Sequence, residues 1–337
     1  MTATKAAKPE QVTNAAILGV RGERKHNCFM PSTNSTSGRS RAQESTGAQI
    51  VHGRSEVENV RVRSVFHPTD FSEASEIAFA HALKITLQAK AELTILHVDA
   101  GSTLRWQDFP GVRMMLERWG TIPRGSLRSA VAKLGIDVNK VISPSKNAVN
   151  ACVNFLQKNP TDLIVLAVRQ DNGRMRWLEK SVGKRIARVV GQMTLFVPHG
   201  IDGFVSRKDG SMSLRNILLP VTSKPRPQPG VEATARLIRN LRLAPGAVTV
   251  LHVGPAAEMP SIRIPTDSRW TWKRLAKAGD PARIILQTAT NLHSDLIVMT
   301  TDGPDGFLDG LRGTTSELVL RKAQCPVATL PVGSLLD

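Results

Sequence analysis

Two kinds of apolar run alternate along this chain. Short, nearly continuous runs fall at residues 61–67, 92–98, 162–168, 193–198, 215–221, 247–253, 295–301 and 326–332. Runs of this length, apolar on both faces, predict strands buried inside a parallel sheet. Between them lie segments whose apolar positions recur at helical spacing: 72–89, near 126–134, 148–157, 181–190, 230–240 and 315–323. Weaker strands are expected near 138–142 and within 269–277. Ser72, Asn147 and Asp280 stand where helix N-caps belong, with Pro281 at a first helical position. Strand and helix in alternation predict an α/β fold.

The pattern occurs twice. A shift of 133 positions lays Asp162-Leu163-Ile164-Val165 on Asp295-Leu296-Ile297-Val298, Ser181 on Thr314 and Pro198 on Pro331 without a gap. Leu96-His97-Val98 returns as Leu251-His252-Val253, and Pro68 returns as Pro220. Ordered landmarks of this kind mean a duplicated domain. The expected organisation is a disordered tail over 1–60, one domain over 61–198, a linker over 199–214 and a second domain over 215–333. The tail segment 31–47 is too polar to offset its ordering entropy. Repeat two is shorter after its second strand, so a loop carrying Pro255, Pro260 and Pro265 is expected where repeat one has a helix.

Composition narrows the function classes. The formal charge is +17, but the basic residues are dispersed and serve no nucleic-acid-binding motif, so nucleic acid is not the expected partner. Three cysteines, widely spaced, indicate neither disulfides nor a zinc site and fit a reducing, cytoplasmic setting. No apolar run is long enough to span a bilayer.

Candidate chemistry gathers after the fourth strand of repeat two. Gly303, Gly306, Gly310 and Gly313 lead into Thr314, Thr315 and a helix. Glycines let backbone N–H groups approach a phosphate, and a helix N-terminus adds donors and a favourable dipole. The competing reading is a glycine-rich turn in which Thr314 only caps the helix. No GxxxxGK[ST] or GxGxxG pattern is present.

At this point the chain resembles the universal stress proteins. The resemblance rests on Pro68-Thr69-Asp70, the two LHV segments, Gly279-Asp280-Pro281, both DLIV segments, and the run from Gly306 to Val327. It implies two doubly wound domains, each a five-stranded parallel sheet in the order 3-2-1-4-5, paired as an intramolecular pseudo-dimer through their last strands. It also implies ATP, with Mg2+, as the possible ligand. Carried across, the site in repeat two comprises Val253, Gly303, Gly306, Gly313, Thr314 and Thr315. A degenerate counterpart in repeat one comprises Asp70, Gly173 and Ser181, with Lys180 in place of the last glycine. Thr222 stands where Asp70's counterpart belongs, so neither copy is complete.

No catalytic constellation emerges. His97 and His252 read as structural residues at a strand end, Asp305 and Asp309 as solvated loop acids, and Cys325 as buried and inert. The expected role is regulatory, through a nucleotide bound mainly by repeat two. The alternative is a scaffold that binds no nucleotide and acts through contacts with a regulatory protein or a second copy of the chain.

Overall fold

The computed structural model describes residues 61–101, 108–109, 111–168, 192–265, 269–301 and 314–332, and the backbone alone at 170–171, 174–175 and 302. The tail 1–60, the helix expected over 181–190, Gly173, Lys180, Ser181 and the loop from Gly303 to Gly313 lie outside these residues.

Repeat one runs β1 (Ser64–Thr69), α1 (Glu73–Ala89), β2 (Glu92–Val98), α2 (Val112–Arg118), α3 (Arg128–Ala132), β3 (Asp137–Ser143), α4 (Ala148–Lys158), β4 (Leu163–Val168) and β5 (Met193–Pro198). Repeat two runs β6 (Asn216–Val221), α5 (Gln228–Asn240), β7 (Gly246–Val253), β8 (Trp270–Lys277), α6 (Pro281–Asn291), β9 (Leu296–Asp302), α7 (Thr315–Lys322) and β10 (Val327–Val332). The caps fall where expected: Ser72 accepts from Ser75 N–H, Asn147 from Asn150 N–H and Asp280 from Arg283 N–H. Where repeat one carries α2, repeat two has a single 3₁₀ turn, Ala256–Glu258.

These ten strands form one sheet in the order β8-β7-β6-β9-β10-β5-β4-β1-β2-β3, and residues 170–171 and 174–175 pair separately. Each half has the predicted 3-2-1-4-5 order with parallel neighbours. The halves join edge to edge, β10 running antiparallel to β5. Strand residues alternate between two cores: Val165, Leu195, Leu219 and Val298 face α1 and α5, whereas Ile164, Phe196, Leu218 and Ile297 face α4, α6 and α7. Each core continues through both halves, so the fold hides every central strand on both sides.

Residues 199–214 do more than connect. Val205 bridges Met212, and Phe204, Val205 and Leu214 are buried. The hairpin rests on α1, where Phe204 N–H donates to His81 Nε2 at 3.1 Å and the two rings meet edge to face at 4.6 Å. Gly203, at φ 67°, permits this approach, since a Cβ there would come within 2.4 Å of His81 Nε2.

Candidate functional site

Ligands of open parallel sheets lie beyond the carboxyl ends of the strands, where strand order reverses. Here those places are the β1/β4 and β6/β9 borders. The two repeats build them on one frame. Asp162 Oδ2 accepts the Arg63 and Ser64 N–H groups at 2.7 and 3.0 Å, and Asp295 Oδ2 accepts those of Arg215 and Asn216 at 2.8 Å each. The repeated aspartate of DLIV thus clamps the fourth strand to the start of the first, at the end opposite the site. His97 Nδ1 lies 2.7 Å from Thr69 O and His252 Nδ1 lies 3.3 Å from Val221 O. A carbonyl only accepts, so Nδ1 carries a proton in both rings.

Around this frame the repeats diverge. Repeat one closes its border. Phe71 stacks on His97 at 4.1 Å, and Phe109 meets Phe71 edge-on at 5.6 Å. Asp70 is exposed and turned towards its own chain, its Oδ1 accepting from Ser72 N–H at 3.0 Å and Ser72 Oγ–H at 2.6 Å. Beneath it sits His67, fully buried, with Nδ1 3.0 Å from Val165 O and Nε2 3.5 Å from Ser75 Oγ. Burial drives its pKa down to about 4, as it does for His81. Both imidazoles are therefore neutral structural groups at physiological pH.

Repeat two builds its border from different residues. Ser223 stands in the place of Phe71 and Leu219 in that of His67. His252 is 7% exposed and its Nε2 has no hydrogen-bond partner among the described residues. Gly254, where repeat one has Asp99, packs beside that nitrogen, with 2.7 Å between Nε2 and the position of an added Cβ. On β9, Thr301 is 5% exposed and its Oγ1 also has no partner among the described residues, whereas its counterpart in repeat one is Val168. Buried polar atoms of this kind each cost about 1–3 kcal/mol unless something satisfies them.

Of the predicted residues in repeat two, Val253 ends β7 beside His252 and packs against the core on the α6 side. Thr314 caps α7, its Oγ1 accepting from Glu317 N–H at 3.3 Å, and Thr315 is the first helical residue. The hydroxyl of Thr314 is thus engaged as the capping reading required. Cys152 and Cys325 are buried thiols pushed up to about 12 by desolvation, so neither is a nucleophile. Among the described residues no group of His, Cys, Asp and Glu side chains has the arrangement of a metal site, and no helix is long and apolar enough to cross a membrane.

A cavity of about 510 Å³ lies elsewhere, between α1, α2 and the hairpin, lined by Glu76, Arg118, Ser206 and Arg207 among others. Arg207 there already faces Glu73, Glu76 and Asp202 at 3.5–3.7 Å, so its charge is met within the protein.

Sequence reasoning missed Thr301, His67 and His81. For Thr301 a signal existed, because polar residues interrupt DLIVMTT where DLIVLAV stays apolar.

Comparisons with known proteins bear on the family and the fold. The family model described as the Universal stress protein family matches residues 62–198 and 271–331, more than half of the chain. A universal stress protein from Archaeoglobus fulgidus DSM 4304 superposes with TM-score 0.55 at 17% identity, over 80% of this chain and 98% of its own. A functionally unknown protein from Pseudomonas aeruginosa PAO1 gives 0.50 at 15% identity, over 80% and 92%. A putative universal stress protein from Pseudomonas aeruginosa UCBPP-PA14 gives 0.50 at 14%, over 80% and 93%. These likenesses concern the fold. A search of curated proteins gave no match.

Proposed function

The chain belongs to the universal stress protein family, and from that premise we propose that its second repeat is a regulatory nucleotide site in the stress response, with the first repeat as its structural partner. The observation that carries this reading is a pair of buried atoms without hydrogen-bond partners among the described residues, His252 Nε2 and Thr301 Oγ1, on the two strands that flank β6. Their counterparts in repeat one are a stacked histidine and a valine. A nucleotide supplies donors and acceptors of the kind these atoms lack, and ATP with Mg2+ is a candidate. The Gly303, Gly306 and Gly313 amides would take its phosphates beside Thr314 and Thr315. The reading places the protein in the cytoplasm.

A second reading applies to repeat one. Phe71 and Phe109 cover His97, and Asp70 Oδ1 is committed to Ser72. That half acts as a scaffold, a surface for a regulatory partner or a further copy of the chain.

Thermal unfolding with AMP and with ATP plus Mg2+ tests the nucleotide reading. A ligand at about a hundredfold its dissociation constant adds about 2.7 kcal/mol. Gly313→Lys, which copies Lys180 of repeat one, should abolish the shift. No shift of the wild-type protein with either nucleotide at millimolar concentration would leave the scaffold reading for both halves.

A further inference from the structure

One imidazole joins the 199–214 hairpin to α1. His81, fully buried, sets its Nδ1 2.9 Å from Ile77 O, one turn back along the helix. A carbonyl only accepts, so Nδ1 carries a proton, and Nε2 keeps the lone pair that takes Phe204 N–H at 3.1 Å. Both ring nitrogens are thus committed in the neutral form. A second proton can go only to Nε2, where it removes the acceptor and sets two donors against each other. The backbone of Gly203 lies against the same nitrogen, which a Cβ there would approach to 2.4 Å. A cation formed here is buried, with the hairpin backbone where its water would be.

The charged groups around the hairpin are already engaged with one another. Among the described residues, Asp202 is the charged group that acts on the ring, and its carboxylate is 80% exposed and 3.7 Å from Arg207. Arg207 also meets Glu73 and Glu76 of α1 at 3.5 and 3.7 Å, and Arg118 of α2 meets Glu76 at 3.6 Å. Lys84 of α1 faces Asp209 at the hairpin tip, and His199 is exposed at the hairpin's start. Of the strands under α1, β1 brings the neutral His67, β2 has Glu92 and His97 at its two ends, and β4 and β5 bring no titratable side chain. Arginine–carboxylate pairs hold until the pH nears about 4.

We propose that His81 is an acid-operated latch: a proton on its Nε2 releases the 199–214 hairpin from α1 while the sheet stays folded, and so bares Phe204 and Val205. The inference does not depend on the nucleotide reading. In the docked form burial holds the His81 pKa down to about 4, and release returns it towards the ordinary 6.5. The imidazole's contribution to docking is therefore complete above about pH 6.5 and is lost as the pH falls towards 4. Between pH 7 and pH 5 the opening equilibrium of the hairpin rises about twentyfold.

Amide hydrogen exchange of the full chain at pH 7 and pH 5, corrected for the intrinsic rate, reads the opening directly. The Phe204 amide, whose acceptor is His81 Nε2, should lose protection about twentyfold and stay less protected than the β1 and β4 amides at both pH values. His81→Gln, whose side-chain oxygen still accepts a hydrogen bond, should cut the change to below about threefold. Arg207→Ala should raise opening at both pH values and keep the ratio between them. A wild-type change below about threefold would overturn the proposal. Exchange of Phe204 only together with β1 and β4 would also overturn it, because that is global unfolding. A change that persists in His81→Gln, or one that vanishes in Arg207→Ala, would assign the response to other groups and have the same result.

Discussion

Leu195 and Ala328 sit opposite one another in the antiparallel pairing of β5 with β10, and they are the same position of the two repeats. On either side, Phe196 pairs with Val327 and Thr194 with Thr329, which are also exchanged by the 133-residue shift. A pseudo-twofold axis therefore passes through one residue pair, as in an isologous dimer interface built inside a single chain. Ala328 is 1% and Leu195 3% exposed, and both lie in the core on the α1 and α5 side. Leu195→Ala should cost about 2–5 kcal/mol through lost burial and the cavity left at the axis. Denaturant unfolding of the purified variant measures this, and a loss below about 1 kcal/mol would show that the seam contributes little.

Acid should destabilise the protein over a defined window. His67 and His81 hold folded pKa values of about 4, below the ordinary 6.5, because burial disfavours the cation. The unfolded chain thus binds more protons between those values. Stability from this source is full above about pH 6.5, falls as the pH drops towards 4, and changes little more below that. Each histidine should steepen the fall by about 1.4 kcal/mol per pH unit. Unfolding free energies at several pH values test the slope, and His81→Phe should reduce it by one proton while losing the Phe204 hydrogen bond.

Thr301→Val installs the residue that repeat one already uses at this place, Val168. Shape is nearly kept and an unsatisfied buried hydroxyl disappears, so the free protein should gain about 1 kcal/mol. Its nucleotide-induced thermal shift should shrink at the same time. A variant that is more stable and responds to ligand undiminished would remove Thr301 from the site.

Much of the architecture was legible in the chain because its causes are local. The doubly apolar strand DLIVLAV, the N-cap Asp280 followed by Pro281, and the recurrence of LHV each specify an element or a copy from residues near in sequence. The site was legible only in outline. Asp162 and Asp295 looked like mere landmarks, yet they clamp strands about 80–100 residues away in the chain. Residues 199–214 read as a polar linker, but Phe204 and Val205 are buried by helices that the linker's own composition does not reveal.

What the sequence determined by itself was the duplication, the α/β alternation and the helix caps, all of them properties of residue order. Tertiary structure decided which edge joins the halves, which histidine is covered by a phenylalanine, and which buried atoms are left without partners. The physical reason is that hydrogen-bond satisfaction and burial belong to pairs of groups. A side chain's partner, or its lack of one, exists only after distant segments have been brought into register.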